Sequence, residues 1–387
     1  MTTTFSPPPA PPVTPAGTPA GAVEALLPSP EPVRMLDPQG RRVATTGRAY
    51  PEPAPEQLVE AYRRMVVGRR FDTQATALTR QGRLAVYPSS RGQEACQVAA
   101  VQVLRDTDWF FPTYRETVAL VSRGIDPVQA LTLLRGDWHC GYDPVATRTA
   151  PQCTPLATQT VHAAGLAHGE RRQGRDTVAL ACIGDGGTSE GDFHEAVNFA
   201  AVFRAPVVFL VQNNRYAISV PLAQQSVAPS LAAKGVGYGV AAEQVDGNDP
   251  VAMLAVLAHA VERARSGQGP FLVEAHTYRM EAHTNADDAG RYRDGAEVEA
   301  WLGRDPLHRL REHLTAEGLL DGDTEAAIAR EAEELAADLR TRMGEEPVTD
   351  PAELFAHVYA TPTPQLLQQR AQVLAELDAD ADPGQDR

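Results

Sequence analysis

The chain has 387 residues, a mass of 41.6 kDa and a formal net charge of −15, with an isoelectric point near 5.1. That length can bury a full hydrophobic core, and the acidic balance disfavours nucleic acid and anionic membranes as partners. No signal peptide or apolar run of transmembrane length is evident, and four scattered cysteines favour a reducing compartment, so a cytoplasmic protein is expected.

Residues 1–55 differ in composition from the rest of the chain. They hold 14 of the 31 prolines, with many Ala and Thr and no hydrophobic period. Such a segment cannot bury enough apolar surface to fold, which predicts a disordered tail. The next elements are predicted as helices over 57–71 and 92–104, before a loop that follows the aromatic run at 109–111.

A continuously apolar run at 177–183 predicts a strand buried on both faces of a parallel sheet. It ends in Gly-Asp-Gly-Gly at 184–187, where glycine allows a tight turn and a close backbone approach to a ligand. Thr188 or Ser189 is expected to cap the helix that follows. The amides of that helix start would favour an anion.

Asn213 and Asn214 follow a second predicted strand at 207–211, which completes a β-α-β unit. Such crossovers are right-handed, so both loops open at the carboxyl edge of the sheet, where ligands bind in α/β folds. Asp185 and Asn214 are expected to face each other there, and their oxygens suit Mg²⁺ or Ca²⁺ rather than zinc. The plainer alternative is a tight turn beside an Asx-rich loop without a ligand.

The remaining pattern predicts a helix over 250–266, a strand over 271–275 and an acidic amphipathic helix over 324–343. This alternation indicates an α/β fold, with a parallel sheet flanked by helices and a helical extension after it. The expected divisions are a tail at 1–55, a main domain at 56–300, a C-terminal helical extension at 301–375 and a frayed end at 376–387.

The Gly-Asp-Gly start, the spacer and the closing Asn-Asn resemble the signature of the thiamine diphosphate-binding fold. Over residues 57–375 the chain is similar to the alpha subunit of the decarboxylating component of 2-oxo acid dehydrogenase complexes. Five further segments carry this resemblance in the same order: QGRLAVYPSSRGQEA at 81–95, FPTYRETVALVSRG at 111–124, TPLATQ at 154–159, VDGND at 245–249 and AHTNADDAGRYR at 282–293.

The resemblance implies a set of cofactor contacts. Mg²⁺ would be held by the side chains of Asp185 and Asn214 and by the backbone carbonyl of Tyr216. Some family members also hold a monovalent cation, K⁺, where this chain has Thr158 and Gln159. The residues implied to contact thiamine diphosphate itself are Tyr114, Arg115 and Arg279 at the diphosphate, Thr154 and Leu156 at the aminopyrimidine, and Gly184, Gly186 and Gly187 in the turn.

His283 is the implied catalytic residue, reaching the reacting carbon from a loop. A histidine that titrates near neutrality could stabilise the developing charge or donate a proton; the alternative is a solvated loop histidine. Asp287 and Asp288 are expected either to order this loop or to form an exposed turn. Two positions depart from the family: Gln212 stands where some branched-chain members have Arg, and Thr284 replaces the regulatory serine of animal members, so kinase control is not supported.

The resemblance implies oxidative decarboxylation of branched-chain 2-oxo acids such as 2-oxoisovalerate, with acyl transfer to the lipoyl group of a dihydrolipoyl acyltransferase. The spacing of His-Thr-Asn-Ala-Asp-Asp at 283–288 favours that substrate class. A pyruvate dehydrogenase alpha subunit is the alternative, and a non-catalytic Mg-nucleotide-binding subunit is a remote one. The glutamate that ionises the cofactor belongs in this family to a beta subunit, so an α₂β₂ heterotetramer is expected.

Overall fold

The computed structural model describes residues 23–44, 48–347 and 350–381. The strands are β1 Trp109–Phe111, β2 Ala179–Gly184, β3 Val207–Asn213, β4 Tyr216–Ala217, β5 Val220–Pro221, β6 Ala241–Asp246 and β7 Phe271–His276. The helices are α1 Pro55–Arg80, α2 Glu94–Gln102, α3 Thr117–Ser122, α4 Pro127–Arg135, α5 Pro144–Thr147, α6 Thr158–Arg172, α7 Gly191–Phe203, α8 Ala233–Val236, α9 Pro250–Arg265, α10 Gly295–Leu302, α11 Pro306–Ala316, α12 Gly322–Arg342, α13 Glu353–Ala356 and α14 Pro364–Ala381.

The central sheet contains five parallel strands in the order β1-β2-β3-β7-β6. Largely apolar runs form its middle strands because a parallel sheet is covered by helices on both faces. Strands β2 and β3 are neighbours, and Gly184 lies opposite Gln212 in their register. The loops that follow these two strands therefore open side by side. The predicted α/β fold, with flanking helices and a C-terminal helical region, is confirmed.

Alternate residues of β2 pack into two separate hydrophobic clusters. Leu180 and Cys182 belong to the cluster that contains α1, α2 and α9. Ala181 and Ile183 point to the opposite face, where α6 and α7 cover the sheet. This alternation follows from the two-residue period of a strand. It fixes β2 between two helical layers and so holds its carboxyl end in place.

Helix α1 extends to Arg80, beyond the predicted end at 71, because buried side chains recur at helical spacing through Phe71, Ala75 and Leu78. Helix α12, predicted over 324–343, spans Gly322–Arg342 and packs against α1. Among the described residues, no helix has the length and apolar character needed to cross a membrane.

The predicted disordered tail is wrong for much of its length, because the described residues at 23–44 and 48–55 pack on the domain. Val33 donates its N–H to the Gln244 carbonyl at 2.8 Å, as an extended neighbour of β6. The buried Glu243 carboxylate accepts from the Tyr50 hydroxyl at 2.6 Å. Prolines prevent a helix here but allow extended backbone to bond to such acceptors. Residues 1–22 and 45–47 lie outside the described residues.

The opposite end of the chain also differs from expectation. Residues 376–381 continue helix α14, which runs from Pro364 to Ala381, instead of fraying. The sequence pattern of the residues before 376 is compatible with a helix that continues to this position. Residues 382–387 lie outside the described residues.

The start of α7 also differs from the prediction. Residues Gly186–Ser189 form a 3₁₀ turn, and the helix begins after Glu190. The Thr188 hydroxyl donates back to the Asp185 carbonyl at 2.8 Å, so it closes the turn and does not cap the helix. This turn holds Asp185 at the end of β2.

Candidate active site

A cavity of about 530 Å³ opens at the carboxyl edge of β2 and β3. Its volume is typical of sites for small molecules and cofactors. Thr158 and Gln159 are not among its lining residues. Every residue expected to contact the cofactor does line it: Tyr114, Arg115, Thr154, Leu156, Gly184, Asp185, Gly186, Gly187, Asn214, Tyr216, Arg279 and His283.

Three oxygen atoms converge on one side of this cavity. The Asn214 Oδ1 atom lies 3.2 Å from Asp185 Oδ1 and 3.1 Å from the Tyr216 carbonyl oxygen. Neighbouring ligands of an octahedral Mg²⁺ lie about 3 Å apart, given Mg–O distances of about 2.1 Å. A cation among these oxygens would offset their mutual repulsion. The donor set therefore fits Mg²⁺.

Asp185 is almost fully buried, with 2% of its surface exposed. Burial raises the pKa of its carboxyl, and a bond from Gln225 Nε2 at 3.1 Å opposes that shift. A bound cation would favour the charged form further. Within the described part of the chain, no group of three or more His, Cys, Asp or Glu side chains could hold a metal. The Asp185 site is of a different kind, with one carboxylate, one amide and one carbonyl.

The short hairpin β4–β5 positions the Tyr216 carbonyl. Arg215 and Ile218 have positive φ angles, of 76° and 54°. Such left-handed backbone is uncommon outside glycine and concentrates at functional sites. Gly186 lies under the hairpin, where an added Cβ would come within 2.5 Å of the Ala217 Cβ. This glycine is therefore required for close packing of the turn against the hairpin.

Two arginines line the cavity and meet at His283. Arg115 Nη2 lies 3.1 Å from His283 Nδ1, and Arg279 Nη1 lies 3.3 Å from the same nitrogen. Both arginines are buried, with 5% and 1% of their surface exposed. The proximity of Arg115 adds to burial in lowering the pKa of Arg279. Two buried guanidinium groups so close together favour an anion with several oxygens, such as a diphosphate.

His283 differs from expectation in its protonation. Burial first, and then the charges of Arg115 and Arg279, lower its pKa to about 4. In this structure the pKa of His283 therefore lies below the near-neutral range that was expected. Because both guanidinium groups donate toward Nδ1, the neutral ring carries its proton on Nε2. The ring also makes an edge-to-face contact with Tyr114 at 6.0 Å.

Asp287 holds the His283 loop in place. This agrees with the first of the two expectations for Asp287, that it orders the loop. The Asp287 Oδ2 atom accepts from the His283 backbone N–H at 2.7 Å and also from the Tyr292 hydroxyl. The Tyr292 hydroxyl in turn accepts from Arg279 Nη2 at 2.8 Å. Asp288 has a more local role, since its carboxylate accepts from the Gly290 N–H at 3.2 Å.

A chain of buried side chains behind the metal ligands was not anticipated from the sequence. Asn214 Nδ2 donates to Gln93 Oε1 at 3.0 Å, and Gln93 Nε2 donates to Gln212 Oε1 at 2.9 Å. Gln212 Nε2 donates to Glu116 Oε1 at 2.8 Å, and Glu116 Oε2 accepts from the Thr113 N–H at 2.6 Å. No spacing in the sequence relates these segments. The only signal was Gln212, the position that departs from the family's Arg.

Thr158 and Gln159, the residues expected near a monovalent cation, lie at the start of α6. Gln159 Nε2 donates to the Cys182 carbonyl at 2.7 Å. Gln159 Oε1 is buried and has no hydrogen-bond partner among the described residues. A buried oxygen left in this way is compatible with a cation ligand.

Comparison with known proteins agrees with this site. A family model described as "Dehydrogenase E1 component" matches residues 62–351. The 3-methyl-2-oxobutanoate dehydrogenase subunit alpha of Mycobacterium tuberculosis (strain CDC 1551 / Oshkosh) is 47% identical over 348 residues, which cover 90% of this chain and 94% of that protein. The pyruvate dehydrogenase E1 component subunit alpha is 41% identical over 306 residues in Bacillus cereus, covering 79% of this chain and 82% of that protein.

The corresponding pyruvate dehydrogenase subunit of Bacillus subtilis (strain 168) is 38% identical over 312 residues, which cover 80% of this chain and 84% of that protein. These matches confirm the recognition made from the sequence, an E1-type alpha subunit, and the expected enzyme class, a 2-oxo acid dehydrogenase. The chain belongs to the dehydrogenase E1 component family.

Proposed function

We propose that the chain is the alpha subunit of a branched-chain 2-oxo acid dehydrogenase and that its cavity binds thiamine diphosphate with Mg²⁺. The observation that carries the proposal is the convergence of the twelve expected residues on one cavity. Within that cavity, three oxygens suited to Mg²⁺ lie beside two buried arginines, and Arg279 Nη1 is 3.4 Å from the Tyr216 carbonyl oxygen. A magnesium diphosphate needs both features in one place.

The cofactor would supply the electron sink for loss of CO₂. Asp185, Asn214 and the Tyr216 carbonyl would hold Mg²⁺. Arg115 and Arg279 would pair with the diphosphate oxygens, whose charge offsets that of the two guanidinium groups. Leu156 and Ile218 are 48% and 54% exposed at this cavity, and such apolar surface suits contact with the rest of the cofactor or with a partner.

His283 would act as a hydrogen-bond donor toward the substrate. Its Nδ1 atom faces two guanidinium donors, so the proton of the neutral ring lies on Nε2. Asp287 fixes the backbone of this residue. A donor held in place in this way can stabilise negative charge that develops on a substrate oxygen.

Four further features belong to the proposal. The chain pairs with a beta subunit in an α₂β₂ heterotetramer, and the acyl group passes to the lipoyl group of a dihydrolipoyl acyltransferase. A monovalent cation binds near Thr158 and Gln159, where the unpartnered Gln159 oxygen supports it. The protein acts in the cytoplasm, which is supported by its four free cysteines.

Branched-chain substrates are favoured over pyruvate by the higher identity to the 3-methyl-2-oxobutanoate enzyme, 47% against 41% and 38%. The cavity also has an apolar wall from Val86, Leu133 and Leu134 that suits a branched side chain. Pyruvate is the alternative substrate, given the pyruvate dehydrogenase relatives. The family match leaves the non-catalytic alternative without support.

The substrate proposal is tested by decarboxylation rates of the chain combined with its beta subunit. We expect kcat/KM for 3-methyl-2-oxobutanoate, which is 2-oxoisovalerate, to exceed that for pyruvate by about tenfold or more. Additional methyl groups in an apolar site contribute about 1–3 kcal/mol each, which allows such a ratio. A preference for pyruvate would replace the branched-chain proposal with its alternative.

A further inference from the structure

The chain of side chains behind Asn214, here called the amide relay, consists of Glu116, Gln212, Gln93 and Asn214. All four are buried, with 7% or less of their surface exposed. They come from separate parts of the fold: the loop before α3, the end of β3, the start of α2 and the loop after β3. The relay ends where the Asn214 oxygen faces Asp185 and the Tyr216 carbonyl.

The relay has a direction, because a carboxylate can only accept hydrogen bonds. Glu116 Oε2 accepts from the Thr113 N–H and Oε1 accepts from Gln212 Nε2. The side-chain amide of each Gln or Asn has one donor end and one acceptor end, so the orientation of one amide sets the orientation of the next. Gln212 therefore orients Gln93, and Gln93 orients Asn214. The result is that Asn214 presents its oxygen to the metal site.

Considered without the rest of the relay, the Asn214 side chain has a second possible orientation. With its amide turned over, Nδ2 would donate to Asp185 Oδ1 at 3.2 Å and to the Tyr216 carbonyl at 3.1 Å. The Asn214 oxygen would then lie 3.0 Å from Gln93 Oε1, two acceptors in contact. If Gln93 and Gln212 also turned over, the contact between two acceptors would move to the other end of the relay. There the Gln212 amide oxygen would face the Glu116 carboxylate. The Glu116 carboxylate, which accepts hydrogen bonds at both oxygens, thus excludes the orientation that would block a metal.

We propose that Glu116, Gln212 and Gln93 are positioning residues that hold the Asn214 oxygen in the orientation that binds Mg²⁺. The inference rests on the proposed function, since it concerns the same metal site. It also gives a role to Gln212, where the expected arginine contact with phosphate is absent. Partners of metal ligands commonly change metal affinity by about 10- to 100-fold when they are altered.

The variant Glu116→Gln tests this inference without changing shape. The Thr113 N–H requires an acceptor, so the new amide would place its oxygen there and its NH₂ toward Gln212. Gln212, Gln93 and Asn214 would then all reverse, and Asn214 would present Nδ2 to Asp185. We expect the chain, co-purified with its beta subunit, to bind Mg²⁺ at least tenfold more weakly by calorimetry in the presence of thiamine diphosphate.

A matched control is Glu274→Gln. Glu274 is a buried carboxylate at the same sheet edge, and it accepts from Asn213 Nδ2 at 2.7 Å and from the Ala232 N–H at 2.9 Å. Its amide partner is not a metal ligand, so Mg²⁺ affinity should stay within about twofold. The thermal unfolding midpoint of each variant shows whether the fold is retained.

The double variant Gln93→Glu/Glu116→Gln separates orientation from general stability. A carboxylate at 93 would accept from Asn214 Nδ2 directly, and Gln212 could bridge it to the amide at 116. We expect Mg²⁺ affinity to return to within about threefold of the natural protein. Unchanged affinity in Glu116→Gln would overturn the inference, as would a double variant that binds as weakly as the single one. If the natural protein itself shows no Mg²⁺-dependent cofactor binding, the proposed function fails instead.

Discussion

At the residue scale, His283 combines a buried imidazole with two neighbouring cations. Arg115 and Arg279 both lie within 3.3 Å of its Nδ1 atom. Burial opposes a proton on that ring, and the two charges oppose it further, which is why its pKa is lowered to about 4. The ring is therefore neutral near pH 7 and serves as a donor through Nε2.

This pKa predicts how stability depends on pH in the cofactor-free chain. The pKa in the folded protein, about 4, is below the ordinary value of 6.5, so the unfolded chain binds more protons between these limits. The stabilising contribution is complete above pH 6.5 and is lost as the pH falls toward 4. The variant His283→Gln should lose less stability over that interval, measured by denaturant unfolding at several pH values.

His308→Gln is the matched control, because His308 lies on α11 with a side chain that is 59% exposed. The free energy of unfolding of His308→Gln should depend on pH in the same way as that of the natural protein. Parallel profiles for His283→Gln and the natural protein would contradict the account of the His283 environment.

At the scale of elements, Asp249 joins the N-terminal segment to the sheet. Its Oδ2 atom accepts from the Met35 and Leu36 N–H groups, each at 2.7 Å. Its Oδ1 atom accepts from Val251 and Ala252 at 3.1 Å and so caps α9. One buried carboxylate therefore holds a helix start and an extended segment together beside the edge strand β6.

The variant Asp249→Ala should lower the free energy of unfolding by about 3 kcal/mol or more. Loss of a helix cap costs about 1 kcal/mol, and each buried N–H left unpaired costs about 1–3 kcal/mol. Asp321→Ala is the comparison, since Asp321 caps α12 through one bond to the Thr324 N–H at an exposed site and should lower the free energy of unfolding by clearly less. Equal losses in the two variants by denaturant unfolding would show that the N-terminal segment adds no stability.

The elements that the sequence predicted well are those with a regular hydrophobic period. Strands β2 and β3 and the order of the β-α-β unit follow from apolar runs, and with them the facing positions of Asp185 and Asn214. The docked N-terminal segment has no such period, because it is held by hydrogen bonds to the Glu243 and Asp249 carboxylates and by irregularly spaced apolar side chains. The sequence therefore predicted disorder where the chain is held by acceptors distant along it.

The candidate site was likewise predicted only in part from the sequence. Sequence similarity located its lining residues and assigned Asn214 to the metal site, but it gave no contact for Asn213. Asn213 donates to the buried Glu274 carboxylate, whereas Asn214 faces Asp185. The amide relay and the pKa of His283 depend on side chains that meet only in the folded chain. Neither leaves a spacing that could be read in the sequence.

At the scale of the whole molecule, the proposed site is one half of an active centre. The chain would provide the metal ligands, the arginines and His283, while the glutamate that acts on the other end of the cofactor is expected from the beta subunit. Leu156 and Ile218 are exposed beside the cavity, as surface that a partner would cover. Activity should therefore require both chains.

The most direct measurement is a calorimetric titration of thiamine diphosphate into the chain co-purified with its beta subunit, with Mg²⁺ and with a chelator. We predict binding that depends on Mg²⁺ and is weakened about 100-fold or more by Asp185→Ala, since that change removes a metal ligand and even indirect changes cost about 10- to 100-fold. Glu195→Ala, an exposed change on α7, should leave binding as it is. Binding that is equally tight in chelator, or equally tight in folded Asp185→Ala, would contradict the account.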